Sequence, residues 1–182
     1  MKKTLMLFAE GFEEVEALTA VDLLRRAEIG CDMVALRDTE TVTGSHGISV
    51  RVSDTLDRVD LDGYDALILP GGQPGTRSLA ADERVLDALR RFQAAGQLTA
   101  AICAAPTVLA KAGVLNGRRA VCYPGLEPQL SGSAGGDGPV EVDGTVITSR
   151  GVGTAIPFAL AIVEYYLGGE KARELARAIV YR

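Results

Sequence analysis

Short, continuously apolar runs alternate with longer segments of helical periodicity along most of this chain. The clearest helical segment is residues 82–95, whose apolar residues fall on one face. Apolar runs without polar alternation are typical of strands that are buried on both faces of a sheet. The pattern predicts strands at residues 4–9, 30–35, 66–70, 98–102 and 119–122, and helices at residues 13–27, 82–95, 104–112, 154–167 and 169–180.

Two further segments alternate polar and apolar residues around a turn, a pattern typical of β-hairpins. Residues 41–53 do so around GSHG, which indicates a hairpin or a pair of edge strands. Residues 141–149 do so around Asp143–Gly144, which indicates a hairpin. The glycine-rich stretch 131–139 is short enough to be a surface loop within one domain. The alternation of strands and helices therefore predicts an α/β fold over residues 1–182, with a doubly wound, mainly parallel sheet and helices on both faces.

Composition and charge narrow the class of protein. The 182 residues are 47% hydrophobic and 24% charged, which is ordinary for one folded domain. The net charge of −5 gives no electrostatic case for binding nucleic acid or an anionic membrane. No apolar run approaches the roughly 20 residues of a membrane span, and the start MKKTLMLFAEGFEE lacks the pattern of a signal peptide. We therefore expect a cytoplasmic protein.

The few histidines and cysteines limit the chemistry further. His46 is the single histidine, and we expect neither a metal nor a cofactor, because the common metal sites need more ligands than this. Its place in the GSHG turn favours a surface or interface residue over a catalytic base. The three cysteines are too scattered for a disulfide framework, and Cys31 and Cys122 lie in apolar runs that favour the core.

Cys103 stands where the apolar run 98–102 meets the predicted helix 104–112. A side chain on such a corner projects outward beside free backbone N–H groups, and Ala101 and Ala105 leave room for a tight turn. The helix N-terminus is expected to stabilise a thiolate and lower the thiol pKa. The alternative is a plain buried cysteine. The position on the corner favours a reactive one.

Three glutamates crowd the start of the first predicted helix. Glu14 is explained by the favourable interaction of a carboxylate with a helix N-terminus. Glu16 shares a face with the apolar residues Ala20 and Leu23, so we expect its carboxyl to point inward and to have a raised pKa. Glu13 lies partly on the same side, and periodicity alone does not decide between Glu13 and Glu16 as the proton-carrying group.

Two glycine-rich turns are the remaining candidates for a binding loop. In PGGQPG, Gly71 and Gly72 let backbone N–H groups approach a substrate closely, which suits an oxyanion site, and a simple turn out of the strand is the alternative. The loop lacks the glycine spacing of a dinucleotide site and the lysine of a phosphate-binding loop. SRGVGTA, at residues 149–155, favours a packed turn over an anion site.

The motifs GFEEVEA, LPGG, AICAAP and TSRGVGTAIPFALAIVE follow one another in an order and spacing that resemble the ThiJ/PfpI superfamily, in the branch of the parkinsonism-associated protein deglycase and its bacterial relatives. The resemblance runs nearly end to end. It implies a flavodoxin-like fold, a homodimer, and Cys103 as a reactive, oxidisable nucleophile. It also implies that Glu16 is a protonated carboxyl bonded to Cys103, and that Gly72 and Ala104 supply the N–H groups of the oxyanion site.

Two positions depart from parts of the superfamily. Ala104 follows the cysteine where protease-like members have histidine, and Tyr123 stands in CYPG where some closer relatives have histidine. We keep Tyr123 as a substrate-binding candidate. A Cys–His dyad is not available within one chain, which argues against a cysteine peptidase of the PfpI type.

The resemblance implies two functions that use the same residues. The first is a cofactor-independent glyoxalase or deglycase that acts on methylglyoxal, glyoxal or early glycated adducts, with Cys103 as nucleophile and Glu16 as proton carrier. The second is an oxidative-stress sensor or chaperone in which Cys103 is oxidised to a sulfinate that Glu16 stabilises. The sequence does not separate the two.

Overall fold

The structure of the chain is a computed structural model that describes residues 2–181, and the predicted strands lie side by side in it. The strands are β1 (Lys3–Phe8), β2 (Gly30–Ala35), β3 (Thr41–Thr43), β4 (Ser49–Arg51), β5 (Asp54–Thr55), β6 (Ala66–Leu69), β7 (Leu98–Ile102), β8 (Val140–Asp143) and β9 (Val146–Ser149). The helices are α1 (Glu14–Arg26), α2 (Gly75–Ala81), α3 (Glu83–Ala94), α4 (Pro106–Lys111), α5 (Ala155–Leu167) and α6 (Gly169–Ala178).

The main sheet has seven strands in the order β5-β2-β1-β6-β7-β9-β8. Neighbouring strands are parallel except at the edge, where β8 pairs antiparallel with β9. The central strands β2, β1, β6, β7 and β9 follow the strand order of flavodoxin-like doubly wound folds. Strands β3 and β4 form a separate antiparallel pair. The predicted fold class and both predicted hairpins are therefore confirmed.

Each face of the sheet carries its own apolar core. Helices α2, α3 and α4 cover one face, where Leu89 and Phe92 are buried. Helices α1, α5 and α6 cover the other face, where Leu24 and Phe158 are buried. Strands covered on both sides have no solvent-facing positions, which explains why their sequences are continuously apolar. Within residues 2–181, no helix is long and apolar enough to cross a membrane.

The predicted strand at 119–122 is wrong, although its apolar residues are buried. The position beside β9 is taken by β8, so this segment does not pair with β9. Instead, the N–H of Val121 donates to the side-chain hydroxyl of Thr148 at 2.9 Å. Two elements of the structure were not predicted from the sequence, helix α2 and the two-residue strand β5. Helix α2 begins at the last glycine of PGGQPG.

The carboxyl ends of β1, β6 and β7 lie together at one edge of the sheet. The N–H of Glu13, which follows β1, donates to the carbonyl of Gly71, which follows β6, at 2.8 Å. Cys103 follows β7, and its N–H donates to the carbonyl of Ser149 at the end of β9 at 3.0 Å. Doubly wound folds bind ligands at this edge, beside the point where the strand order reverses, which here lies between β1 and β6.

Candidate active site

Cys103 occupies a strained corner between β7 and the short turn that leads into α4. Its φ angle is +66°, in the left-handed region that residues other than glycine rarely adopt. The corner is held from both sides, because the Cys103 N–H donates to Ser149 and the Cys103 carbonyl accepts from the N–H of Tyr123 at 2.7 Å. The thiol is partly buried and is not in a disulfide. This is the geometry predicted for the corner, and backbone strain of this kind is concentrated at functional sites.

Glu16, rather than Glu13, is the carboxyl that reaches Cys103. Glu16 lies in the first turn of α1 with 0% of its surface exposed, and it is hydrogen-bonded to the Cys103 thiol. The N–H of Gly71 donates to its Oε2 atom at 3.0 Å. Glu13 precedes the helix, and its Oε2 accepts from the hydroxyl of Ser45 at 3.3 Å. Of the two glutamates that periodicity left open, Glu16 is therefore the one that lies beside the sulfur.

The environment of Glu16 favours its protonated form. Burial raises the pKa of Glu16 to about 7, although the hydrogen bonds from Cys103 and from the Gly71 N–H oppose this rise. The nearby carboxylate of Glu13 raises the pKa further. A carboxyl with this pKa gives and takes a proton readily near neutral pH. The predicted raised pKa is confirmed.

The predicted low pKa of the Cys103 thiol is wrong in the structure. Burial raises the pKa of Cys103 to about 12, and the carboxylate of Glu16 raises it too. The N–H groups of Ala104 and Gly72 hydrogen-bond to the sulfur and lower the pKa, but they are outweighed. The thiol therefore holds its proton while Glu16 is ionised, and removing that charge is the way to favour the thiolate.

Gly71 and Gly72 have different surroundings. A Cβ atom at position 71 would lie 2.5 Å from Glu16 Oε2 and 2.5 Å from Cys103 Cβ, so only glycine fits between these two residues. The Gly71 N–H is donated to Glu16, whereas the Gly72 N–H and the Ala104 N–H face the sulfur. Of the two glycines, Gly72 is therefore the one whose N–H is placed for an oxyanion.

Tyr123 lies at the mouth of the site with 52% of its surface exposed. Its ring covers Gly151, since a Cβ at position 151 would lie 3.6 Å from Tyr123 Cδ2 and 3.9 Å from Glu16 Oε1. The turn that contains Gly151 is a packed turn, because the N–H groups of Arg150 and Gly151 both donate to Thr154 Oγ1. The motif drew attention to this turn, but nothing in the sequence placed it against Glu16.

Glu14 has a function that the sequence did not indicate. Its buried carboxylate accepts from the N–H of His46 at 2.7 Å, and its Oε2 lies 2.8 Å from His46 Nδ1. It also accepts from the N–H of Ile48 at 3.5 Å. Burial alone would raise the pKa of Glu14, but the bonds from the His46 ring and these N–H groups lower it to about 2. Glu14 thus fastens the β3–β4 loop to the start of α1, beyond its interaction with the helix N-terminus.

His46 is exposed and belongs to this loop. Its hydrogen bond to Glu14 raises the pKa of the imidazole. Among residues 2–181, His46, Glu13 and Glu14 form the one group with the ligand types and spacing of a metal site, with ligand atoms within 4.8 Å of one another. The contacts that Glu14 makes with the loop already account for this arrangement. Cys31 and Cys122 are buried, as predicted for core cysteines.

A strained cysteine at a strand–helix corner, beside a buried glutamate at the carboxyl edge of a flavodoxin-like sheet, defines a class of cysteine-centred α/β proteins. Sequence comparison identifies the particular family. The chain belongs to the DJ-1/PfpI family, whose model matches residues 2–165. The resemblance seen in the motifs is thereby confirmed.

Individual relatives cover nearly the whole chain. Protein dj-1beta of Drosophila melanogaster is 41% identical over 181 residues, which is 98% of this chain and 97% of that protein. Deglycase PH1704 of Pyrococcus horikoshii is 37% identical over 151 residues, or 81% of this chain and 89% of that protein. The solved structure of oxidized DJ-1 from Toxoplasma gondii has a TM-score of 0.95 and 35% identity, and the match covers 100% of this chain and 99% of that one.

Proposed function

We propose that this protein is a glutathione-independent glyoxalase that converts methylglyoxal to lactate and glyoxal to glycolate without a cofactor. The observation that carries the proposal is the pairing of Cys103 with Glu16, whose pKa of about 7 suits repeated proton transfer. Methylglyoxal has an aldehyde carbon that a thiol attacks, and its conversion to lactate needs a hydrogen moved between adjacent carbons. A nucleophile and a proton carrier in contact supply both steps.

The reaction begins with addition of the thiol to the aldehyde. The Glu16 carboxylate takes the thiol proton as the sulfur of Cys103 bonds to the aldehyde carbon, and the carbonyl electron pair moves onto oxygen. The N–H groups of Gly72 and Ala104, which face the sulfur, stabilise this oxyanion. Glu16 then returns the proton to the oxygen, which gives a hemithioacetal.

The second half moves a hydrogen and releases the product. Glu16 removes the hydrogen from the first carbon and returns it to the second, while the hydroxyl proton of the first carbon passes to the oxygen of the second. The result is a lactate thioester, in which the first carbon is oxidised and the second reduced, so no external redox reagent is needed. Water adds to the thioester carbonyl, the carbon–sulfur bond breaks, and the sulfur recovers its proton as lactic acid leaves.

The test is lactate formation from methylglyoxal without glutathione. The parent protein is compared with Cys103→Ala and with Cys31→Ala, which removes a buried cysteine elsewhere in the fold. We expect turnover in the parent and in Cys31→Ala, and none in Cys103→Ala. Equal turnover in all three, or none in a folded and reduced parent, would reject the proposal.

We extend the proposal to early glycated adducts of cysteine, arginine and lysine, because the Pyrococcus horikoshii relative carries the name deglycase. Such adducts release free methylglyoxal reversibly. If the enzyme acts on the adduct itself, the rate of adduct loss at high enzyme concentration exceeds the spontaneous release rate. A rate that levels off at the spontaneous release rate would restrict the substrate to the free aldehyde.

A second candidate function is peroxide sensing, with chaperone or partner-binding activity switched by the oxidised cysteine. It is favoured by the Glu16 carboxyl beside the thiol, which in its protonated form can donate a hydrogen bond to a sulfinate, and by the oxidised state of the Toxoplasma gondii relative. Two molecules of hydrogen peroxide convert the thiol to the sulfinic acid and leave two of water. Mass spectrometry after peroxide treatment is expected to find two added oxygen atoms on Cys103 and none on Cys31.

We also infer that the active form is a cytoplasmic homodimer. In support, two apolar residues are exposed: Val15 on α1 exposes 48% of its surface and Ile48 on the β3–β4 loop exposes 54%. The N–H of Ile48 donates a hydrogen bond to Glu14, the neighbour of Val15 in the chain, so the two apolar residues lie in one region of the surface. All three cysteines are free thiols, as in reducing compartments. Light scattering is expected to give the mass of a dimer for the parent protein and the mass of a monomer for Ile48→Asp.

A further inference from the structure

The start of α1 and the β3–β4 loop bring four oxygen- or nitrogen-bearing side chains to one place. The contacts that fasten Glu14 to the loop backbone use its Oε1 atom, which accepts from the N–H groups of His46 and Ile48 at 2.7 and 3.5 Å. Its Oε2 atom lies 2.8 Å from His46 Nδ1 and 3.4 Å from Ser45 Oγ. Glu13 Oε2 joins the same group, at 3.6 Å from His46 Nδ1 and 3.3 Å from Ser45 Oγ.

These four atoms have the spacing of ligands around a single metal ion. Ser45 Oγ lies 3.1 Å from His46 Nδ1, so the separations run from 2.8 to 3.6 Å. In a tetrahedral zinc site with bonds of about 2.0–2.1 Å, two ligand atoms are about 3.3 Å apart. The pair that is closer than this, His46 Nδ1 and Glu14 Oε2, includes a side chain that is 69% exposed and has room to move outward. The ligand atoms of Glu13, Glu14 and His46 all lie within 4.8 Å of one another.

The group contains more acceptors than its own protons satisfy. The Ser45 hydroxyl carries one hydrogen and the His46 imidazole presents at most one at Nδ1, whereas the two carboxylates only accept. Among residues 2–181, no lysine or arginine forms an ion pair with Glu13 or Glu14, and His46 is the one basic side chain that reaches them. Two negative charges therefore face at most one positive charge, and a divalent cation would balance them and use the lone pairs directed at it.

We propose that Glu13, Glu14, Ser45 and His46 form a binding site for a divalent transition-metal ion of the zinc type. The imidazole selects such ions over Mg²⁺ and Ca²⁺, which prefer oxygen ligands alone, and the carboxylates supply the negative charge. A bound ion would tie the β3–β4 loop to α1 by coordination, in addition to the hydrogen bonds. The site does not include the sulfur of Cys103, and the inference does not depend on the proposed glyoxalase activity.

The test uses Zn²⁺ itself and the fact that His46 is the single histidine of the chain. The imidazole signals in NMR spectra therefore belong to His46 without further assignment. Zn²⁺ is added to protein that carries no histidine tag and is kept reduced without an added thiol, and calorimetry gives the stoichiometry and Kd. Cys103→Ala is measured beside the parent, because a thiolate also binds metals. We expect one equivalent of Zn²⁺ to shift the His46 signals in both proteins, and an excess of Mg²⁺ to leave them unchanged.

Two glutamine variants test whether the carboxylates hold the ion. Glu13→Gln removes a proposed ligand, while the contacts of Glu14 Oε1 with the loop backbone remain. Glu40→Gln is the matched control, since it changes an exposed carboxylate that pairs with Arg51 at the same hairpin. We expect the Kd for Zn²⁺ to rise at least tenfold in Glu13→Gln and to stay within twofold of the parent in Glu40→Gln. Zn²⁺ is expected to raise the melting temperature of the parent and of Glu40→Gln, because it binds the folded state.

His46 signals that do not move, or equal Zn²⁺ affinity in Glu13→Gln and in the parent, would overturn the site. Zinc binding that disappears in Cys103→Ala would place the ion at the thiol and would overturn it as well. If Glu13→Gln does not fold, His46→Asn takes its place and is expected to weaken Zn²⁺ binding at least tenfold by calorimetry, and unchanged binding would reject the site. A parent without methylglyoxal turnover would reject the proposed function and leave the metal site to be decided by these measurements.

Discussion

Glu14 and Glu16 stand two residues apart on one helix, and both are buried, yet their acidities are opposite. The pKa of Glu14 is lowered to about 2 and that of Glu16 is raised to about 7. Burial raises both pKa values, and it acts more strongly on Glu16, which lies deeper in the protein. Glu14 accepts hydrogen bonds from the ring and N–H of His46 and from the Ile48 N–H. Within the part of the chain that the structure describes, Glu16 accepts one backbone hydrogen bond, and its other oxygen has no partner.

The comparison separates a carboxyl that holds the structure from one that is available for chemistry. A carboxylate surrounded by donors stays ionised and keeps the β3–β4 loop fastened to α1. A carboxyl with few donors keeps its proton near neutral pH and can exchange it with a neighbour. The depth of each carboxyl and the number of donors that the fold brings to it therefore decide together which glutamate is available for proton transfer.

The largest expected effect is on turnover in Glu16→Gln. Loss of the proton carrier is expected to lower lactate formation by about 10²–10⁴-fold. Because the Glu16 carboxylate raises the pKa of Cys103, its removal is expected to move the thiol titration to lower pH. Iodoacetamide alkylation across a pH series measures that shift. Full turnover with the parent titration curve would remove Glu16 from the mechanism.

A smaller effect is expected when the gap between Glu16 and Cys103 is filled. Gly71→Ala places a Cβ 2.5 Å from both partners, and such overpacking costs about 1–3 kcal/mol of stability. Turnover is expected to fall with it, because the carboxyl is displaced from the sulfur. Gly63→Ala is the control, since none of the atoms of residues 2–181 would lie within 4 Å of a Cβ there. Urea unfolding and lactate assays on both variants make the comparison, and identical behaviour would contradict the contact.

Paired glutamine variants sharpen the contrast in stability. Glu14→Gln is expected to destabilise the protein at pH 8 by about 1–3 kcal/mol, since it replaces a hydrogen-bonded carboxylate. Glu16→Gln is expected to stabilise it at pH 8, because it removes an ionised group that the fold disfavours. Denaturant unfolding at fixed temperature measures both changes. Changes of the same sign would refute the contrast.

The pH windows of the two effects differ as well. The lowered pKa of Glu14 gives stability that is present above its ordinary value of 4.5 and is lost as pH falls toward 2. The raised pKa of Glu16 gives stability that is present below 4.5 and is lost as pH rises through about 7. Each glutamine variant is therefore expected to flatten the stability profile in its own window only.

The smallest expected effect belongs to His46→Ala. The raised pKa of His46 means that its pairing with Glu14 contributes below the ordinary imidazole pKa and fades as pH rises through the raised one. We expect a small decrease in melting temperature at pH 6 and a smaller one at pH 9. Arg51→Ala, which removes an exposed ion pair with Glu40 on the same hairpin, serves as control. A decrease that grows with pH would contradict the assignment.

Much of the fold was predictable because the strands of a doubly wound sheet can be recognised in the sequence by their apolar residues. Strands covered on both faces are apolar throughout, so β1, β2, β6 and β7 were placed within a residue or two. The segment 119–122 was wrongly predicted as a strand because it is also apolar and buried, although it does not pair with any strand. Helix α2 was missed since the glycines and proline of PGGQPG, which shape the site, precede it directly.

The sequence by itself determined the fold class, the corner at Cys103 and the inward face that carries Glu16, because each follows from the local period of apolar residues. Only the tertiary structure decided the acidities. Burial and the carboxylate of Glu16 raise the pKa of the Cys103 thiol. Glu16 and the residues that bury the thiol belong to other segments of the chain than the corner itself. The donors at Glu14 come from the β3–β4 loop, and the gap between Glu16 and Cys103 exists because residue 71 of a different loop is glycine. Charge and free space at a site depend on neighbours distant in the chain, and local periodicity does not encode them.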